Sequence, residues 1–348
     1  MATIMDVAKM ANVSRSTVSL VLNNSPLVKN ETRQKVEEVI RQIDYVPNNS
    51  ARSLPSKVMY SLGIIIMVQD LPYDTYGFNI ETGLFSHDVT TGISNGLAGT
   101  QYALNIERFC FETSGGDLPN LLKNRRIDGA FIVGGLYEPS FIDMLLTRNI
   151  PFVVVGGHRE TKVDSVSPDP EKGAYMAAQH LVETGHKRIL LVNAPKFYRS
   201  SDQRRNAIET IKKESSKRIS WEIVYCPHNS GEGGYLAVKD FYENGGRCDG
   251  IIAANTMMAM GVIRYFYEKK IYIPDDVSLV AYEDNIMGGY ASPAMTAINV
   301  QKEYMGETAA HLLLERLKNP GKEISSIIAE PFFVYRNSVK DKRKKRHD

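Results

Sequence analysis

The chain has 348 residues, 43% of them apolar and 24% charged, with a formal net charge of +2. That length exceeds one compact domain, the composition is ordinary for a globular protein, and the near-neutral balance excludes a strongly basic or acidic partner for the molecule as a whole. No charged-then-apolar leader opens the chain and no apolar run reaches membrane-spanning length, so a cytoplasmic protein without membrane contact is expected. Cys110, Cys226 and Cys248 form no CxxC pair and are expected to be reduced thiols, with no metal and no cofactor.

In chain order, apolar residues at 4, 7, 8 and 11 make a helical stripe, and Asn12-Val13-Ser14 interrupts it. Ser14 suits an N-cap for a second helix, Arg15 to Leu22, in which Val18, Val21 and Leu22 face inward. Arg15, Ser16 and Leu20 fall off that face. A third helix opens at Glu31-Thr32-Arg33, points Val36, Val39, Ile40 and Ile43 inward, and ends before Tyr45-Val46-Pro47. Two short helices around a three-residue turn, with a third packed on them, predict a helix-turn-helix unit whose second helix enters the DNA major groove. There Arg15 has the donors for guanine and Leu20 the apolar surface for a thymine methyl. A small helical bundle with solvated charges is the competing reading of the same spacing. PNNSARSLP, residues 47–55, follows as a polar segment with one leucine, Leu54, before a proline.

From Tyr60 the texture changes. Runs at 62–68, 129–133, 152–155, 188–192, 250–254 and 277–282 are continuously apolar and β-branched, as in parallel strands buried on both faces. Helix-like stretches such as 174–182 lie between them. The alternation predicts two doubly wound parallel-sheet subdomains with a ligand between them at the strands' carboxyl ends. Gly92-Ile93-Ser94-Asn95-Gly96 has the spacing of a nucleophile elbow, but Asp88 to Leu104 reads as one helix, whereas an elbow needs a strand before its serine. No P-loop or HExxH is present, and His180 and His186 have the wrong spacing for metal ligands. An enzyme is therefore not expected. A last strand is expected over 329–336, then a basic tail.

The segment ATIMDVAKMANVSRSTVSLVLNNSPLVKNETRQKVEEVIRQIDYVPNNSARSL resembles the headpiece of LacI/GalR-family transcription regulators. PEKGAYMAAQHLVETGHKRILLV, DGIIAANTMMAMGVI and IPDDVSLVAYEDN resemble the effector domain of the same family, itself similar to periplasmic sugar-binding proteins. The resemblance implies a headpiece over 1–47, a hinge over 48–57, an effector and dimerisation domain over 58–340 and a tail over 341–348. Within the effector domain it implies an N-subdomain of 58–162 and 293–325 and a C-subdomain of 163–292 and 326–340.

It further implies a homodimer on a pseudo-palindromic operator in double-stranded DNA. Arg15, Ser16, Leu20 and Leu54 would contact bases, and Thr3, Thr17, Ser19, Asn23, Lys29 and Thr32 phosphates. Leu54 would be a wedge between base pairs in the minor groove. A small-molecule effector, a sugar, would meet Phe85, Ser86, Ser200, Arg204, Asn229, Asn255 and Glu283, while Met258, Met260 and Tyr290 would lie in the dimer interface. The chain departs from the family pattern at Glu283, where aspartate is usual, and at Gly156, often a carboxylate. It also has a longer aromatic segment, Leu71 to Gly83, at the expected mouth of the cleft. These departures keep open a regulator gated by a protein partner or a non-sugar corepressor.

Overall fold

The computed structural model describes residues 2–22, 25–45, 58–68, 78–124, 126–134, 139–156, 162–215 and 219–343. Asn23, the hinge with Leu54, residues 71–77 of the aromatic segment and residues 344–348 of the tail lie outside the described residues. The chain divides into two compact units, Met1–Tyr60 and Ser61–Asp348.

Among its described residues the first unit has three helices, α1 (Ile4–Ala11), α2 (Arg15–Leu22) and α3 (Asn30–Gln42). Thr3 and Asp6 close a capping box on α1, and Asn12 ends it in the left-handed conformation. Ser14 accepts the Thr17 amide at 3.1 Å, the cap expected for α2. Val7, Ala8, Ala11, Val18, Val21, Val36 and Val39 form the core, with Leu22, Ile40 and Ile43 half-buried at its edge.

The second unit contains two six-stranded sheets. The first has the order β11-β5-β4-β3-β1-β2, all parallel, from β1 (Ser61–Met67), β2 (Ala103–Phe109), β3 (Gly129–Val133), β4 (Phe152–Val155), β5 (Ser165–Pro168) and β11 (Ser326–Ala329). The second has the order β12-β10-β9-β8-β6-β7, from β6 (Arg188–Asn193), β7 (Ser220–Tyr225), β8 (Gly250–Ala253), β9 (Ser278–Tyr282), β10 (Thr296–Asn299) and β12 (Phe332–Val334). Among the described strands only β12 runs antiparallel to its neighbour. Apolar clusters cover both faces of each sheet. All six strands read from the sequence are present.

Three readings are corrected. The helix expected over Asp88–Leu104 spans Phe78–Gly96, and the chain then forms β2, an edge strand whose alternating exposure hides it from a search for buried runs. The strand expected over 329–336 is two, β11 in the first sheet and β12 in the second, broken at Glu330-Pro331. The subdomain limits move accordingly. β5 and β11 belong to the N-subdomain and β10 to the C-subdomain, so the chain crosses between them at about 169, 300 and 331, each time just after a strand is complete.

Helix Phe78–Gly96 and helix Lys302–Lys318 pack over the first sheet at backbone contact. A Cβ on Gly92 would lie 1.9 Å from the Glu303 carbonyl oxygen, and one on Gly306 2.1 Å from that of Val89. The glycines of the G-x-S-x-G run thus serve helix packing, and Ser94 is exposed in the last turn of the helix. Helix Gly231–Glu243 and helix Thr256–Lys269 meet the same way, a Cβ on Gly261 falling 1.9 Å from the Gly231 carbonyl oxygen. Gly306→Val is expected to lower the unfolding free energy in urea by about 3 kcal/mol or more, because no side chain can move aside for it. Gly321→Ala, where a Cβ meets nothing within 4 Å, is the control and should change it by less than about 0.5 kcal/mol.

Candidate functional site

On the headpiece, Arg15, Ser16 and Leu20 are exposed on the face of α2 turned away from its core. Ser16 and Thr17 hydroxyls both bond to Ser14 Oγ, at 2.7 and 2.8 Å, which fixes the first turn of the helix. Thr3 and Lys29 are exposed, and Ser19 and Thr32 half-exposed. An exposed arginine at the start of a short helix held by a three-residue turn is the arrangement that presents donors to base edges.

The ligand site expected in the second unit lies where strands end. Its sheets reverse order between β1 and β3 and between β6 and β8, the switch points at which α/β sheets open a crevice. Ser200 and Arg204 sit on the helix Arg199–Glu214 after β6, Asn229 after β7, Asn255 directly after β8 and Glu283 directly after β9. Phe85 and Ser86 lie on the helix after β1.

Arg204 is only 5% exposed. Its Nε donates to Asn193 Oδ1 at 3.2 Å, Nη2 donates to Ser200 Oγ at 3.3 Å, and the guanidinium lies 5.2 Å from the Tyr282 ring centroid. Burial pushes its pKa down, and Tyr282 and Glu283 offset this only in part. Asn255, 4% exposed, caps helix Thr256–Lys269 by accepting the Met258 amide at 2.7 Å and donates to Asn229 Oδ1 at 2.9 Å. Glu283 has φ +71°, a left-handed backbone uncommon for a side-chain-bearing residue and found mostly where the surroundings enforce it. Thr256 Oγ1 donates to the Glu283 carbonyl.

The Glu283 carboxylate is not free. Lys302 Nζ lies 3.3 Å from its Oε1 and 2.8 Å from Asp88 Oδ2. Sequence reasoning missed Lys302, Asp88, Asn193 and Tyr282. The only available signal was position: Tyr282 precedes Glu283, Asp88 lies one turn before Gly92, and Lys302 one turn before Gly306. Burial raises the Tyr282 phenol pKa, and its oxygen has no hydrogen-bond partner among the described residues.

Two expected site residues behave differently. Ser86 is buried and its hydroxyl donates to the Gly83 carbonyl at 3.1 Å, so its proton is committed within its own helix. Phe85 lies on Gly156, where a Cβ would fall 2.3 Å from the ring; at φ +78° only glycine fits easily, which accounts for the missing carboxylate there. Of the expected interface residues, Met258 is corrected. It is 0% exposed within the C-subdomain core, its sulfur 3.8 Å from Cys226 Sγ, and reaches no surface. Met260 is half-buried and Tyr290 is 86% exposed.

Cys226 and Cys248 are buried, and burial pushes their thiols up to about 12 and about 11, so neither is a reactive thiolate. Among the described residues no cluster of three or more His, Cys, Asp or Glu could hold a metal, and no helix is long and apolar enough to cross a membrane.

A helix-turn-helix unit joined to a two-subdomain α/β unit defines a transcription regulator as the class. Comparison with known proteins agrees. Residues 3–48 match bacterial regulatory proteins of the lacI family, and residues 178–339 match a periplasmic binding protein-like domain. The HTH-type transcriptional repressor PurR of Histophilus somni is 30% identical over 342 residues, 98% of this chain and 99% of that one. The ribose operon repressor of Haemophilus influenzae is 27% identical over 347 residues, 97% of this chain and 99% of that one. The lac repressor dimer bound to operator and the anti-inducer ONPF shares the fold with a TM-score of 0.80 at 23% identity, over 97% of this chain and 98% of that one. The CelR–cellobiose complex does so at 0.67 and 24%, over 97% and 100%, and an Enterococcus faecalis LacI-family regulator with bound ribose at 0.64 and 24%, over 81% and 99%. The chain belongs to the LacI family and is a DNA-binding transcriptional repressor, not an enzyme.

The cap role of Asn255 is separable from any ligand role. Asn255→Ala is expected to cost about 1–2 kcal/mol in urea unfolding, whereas Asn255→Ser, which keeps a capping oxygen, should cost only a few tenths. Equal losses in the two variants would show that the cap is not what holds this residue's place.

Proposed function

We propose that this repressor is a cytoplasmic homodimer on a pseudo-palindromic operator, released from or fixed on DNA by a small polyhydroxylated ligand, a carbohydrate, bound between its two subdomains. The observation that carries the reading is the convergence of Arg204, the Asn229–Asn255 pair and Glu283 from four separate strand-end segments, with Phe85 on the facing subdomain. A planar guanidinium, amides and a carboxylate suit vicinal hydroxyls, and an aromatic ring suits the apolar face of a sugar. The ribose operon repressor and the ribose- and cellobiose-bound relatives support the same ligand class.

In this reading Arg15, Ser16 and Leu20 read bases, and Leu54 is the minor-groove wedge. Thr3, Thr17, Ser19, Asn23, Lys29 and Thr32 hold phosphates, setting register rather than sequence. Tyr290 and Met260, with exposed Tyr267 and Ile286 near them in sequence, form part of the dimer surface on the C-subdomain. A non-sugar corepressor is the second reading. It is favoured by Phe85 filling the place of a carboxylate at Gly156, since a ring beside amides and a guanidinium also suits a planar heterocyclic base.

A thermal-shift screen with D-ribose, cellobiose and hypoxanthine separates the two, because a ligand bound only by the native state raises apparent stability by RT ln(1 + [L]/Kd). A shift with the sugars alone supports the first reading, and a shift with the base alone replaces it by the second. Arg204→Ala is then expected to remove the response of operator binding to the ligand that gave the shift; a variant responding at the same concentration would place the site elsewhere. Arg15→Ala is expected to lose about 1–3 kcal/mol against the preferred base at one position of each half-site selected from random DNA. A uniform loss over all operator variants would make Arg15 a phosphate contact.

A further inference from the structure

Lys302 has no part in the assignments above. It opens the helix Lys302–Lys318, which belongs to the N-subdomain by its packing on helix Phe78–Gly96 and on β3, β4 and β5. Its side chain is 4% exposed and lies between two carboxylates of different origin. Asp88, at 2.8 Å, is on the N-subdomain helix Phe78–Gly96; Glu283, at 3.3 Å, follows β9 of the C-subdomain. We infer that Lys302 is an ionic latch across the ligand cleft, holding the two subdomains together at Glu283, and that a ligand must displace this latch to take the Glu283 carboxylate. The last clause rests on the effector reading; the latch itself does not.

Three features carry it. The first is placement at backbone precision. Gly92 and Gly306 let the two N-subdomain helices touch, and Asp88 and Lys302 each stand one turn before their glycine, so the pair is set side by side within one rigid body. The bond to Glu283 is then the variable one, because of the two bonds of Lys302 it is the one that joins that body to the other.

The second is electrostatics. Burial pushes the Lys302 ammonium pKa down, but Glu283 and Asp88 more than offset it, and the net displacement is upward. The two carboxylate oxygens lie against a common nitrogen, at 2.8 and 3.3 Å. Without the cation two like charges would face each other across the subdomain boundary with little water between them, a repulsive arrangement.

The third is access. Arg204 and Asn255 are almost wholly covered. A groove of about 770 Å³ in this region is lined by residues of both subdomains, among them Asp88, Lys302, Asn285, Gln301, Asp284 and Arg336. Asp88 and Lys302 thus border this groove, and Lys302 also bonds the Glu283 carboxylate.

The test is small-angle X-ray scattering on the ligand-free full chain, together with its thermal midpoint. Lys302→Met is expected to enlarge the radius of gyration and lower the midpoint by a few degrees. Lys302→Arg should retain the wild-type radius, and adding Glu283→Gln to Lys302→Met should draw it back part of the way, by removing one of the two facing charges while leaving the bond lost. Should Lys302→Met not fold, Glu283→Gln alone leaves Lys302 paired with Asp88 and is expected to give that smaller expansion, the part due to the lost bond. A lowered midpoint with an unchanged radius in Lys302→Met, or no expansion in Glu283→Gln, would overturn the latch and leave an ordinary buried ion pair. Because no ligand is present, a negative sugar screen bears only on the effector reading, and an unchanged radius only on the latch.

Discussion

Where helix Phe78–Gly96 crosses helix Lys302–Lys318, the Glu303 carbonyl occupies the space a side chain on Gly92 would fill. The ligand-binding unit depends on that approach and on its counterpart, where helix Gly231–Glu243 meets helix Thr256–Lys269. Polar groups on neighbouring helices come within hydrogen-bond reach only when the helix axes are close. The first contact sets Asp88 beside Lys302, and the second brings Asn255 to Asn229. Close packing at this density transmits small displacements rather than absorbing them. A movement at the cleft is thereby a movement of whole helices.

The two buried cations of the cleft are handled differently, and the difference gives them different roles. Arg204 is bonded to neutral groups, Asn193, Ser200 and the Tyr282 ring, all in the C-subdomain, and among the described residues no carboxylate is in ion-pair contact with it, although Glu283 acts on it from farther off. Lys302 is matched by two carboxylates, one from each subdomain. A cation stabilised by neutral dipoles is suited to receive a ligand's oxygens. A cation stabilised by carboxylates on both sides of a boundary is suited to hold that boundary. Elsewhere the fold uses charge for fixed joints: Arg316 grips Asp164 and the Glu323 carbonyl, and Arg336 grips Asp284 and the Met295 carbonyl, each within its own subdomain.

The headpiece depends on a different economy. Its core is small, seven buried aliphatic side chains, so the caps at Thr3 and Ser14 carry an unusual share of its definition. The residues that fix the turn are neighbours of those that face outward, which couples the aim of Arg15 to the hydroxyl network around Ser14.

The sequence by itself determined the two-part organisation, the three headpiece helices with the Ser14 cap, and six central strands, because these are set by local periodicity, capping chemistry and continuous burial. It also marked Arg204, Asn229, Asn255 and Glu283, through resemblance over short segments that end on strands. Only the tertiary structure decided the rest. Edge and linker strands such as β2, β5 and β11 are short or half-exposed, and their pairing partners lie far away in sequence: Ser326 pairs with Ser165. The resemblance places Met258 in the dimer interface, but which face of its helix is buried depends on the neighbour, here helix Gly231–Glu243. Lys302 and Asp88 are separated by 214 residues (302 − 88 = 214), and neither carries a local pattern. An ion pair of that kind exists only when two glycine-lined helices meet, and that meeting is a property of the folded chain.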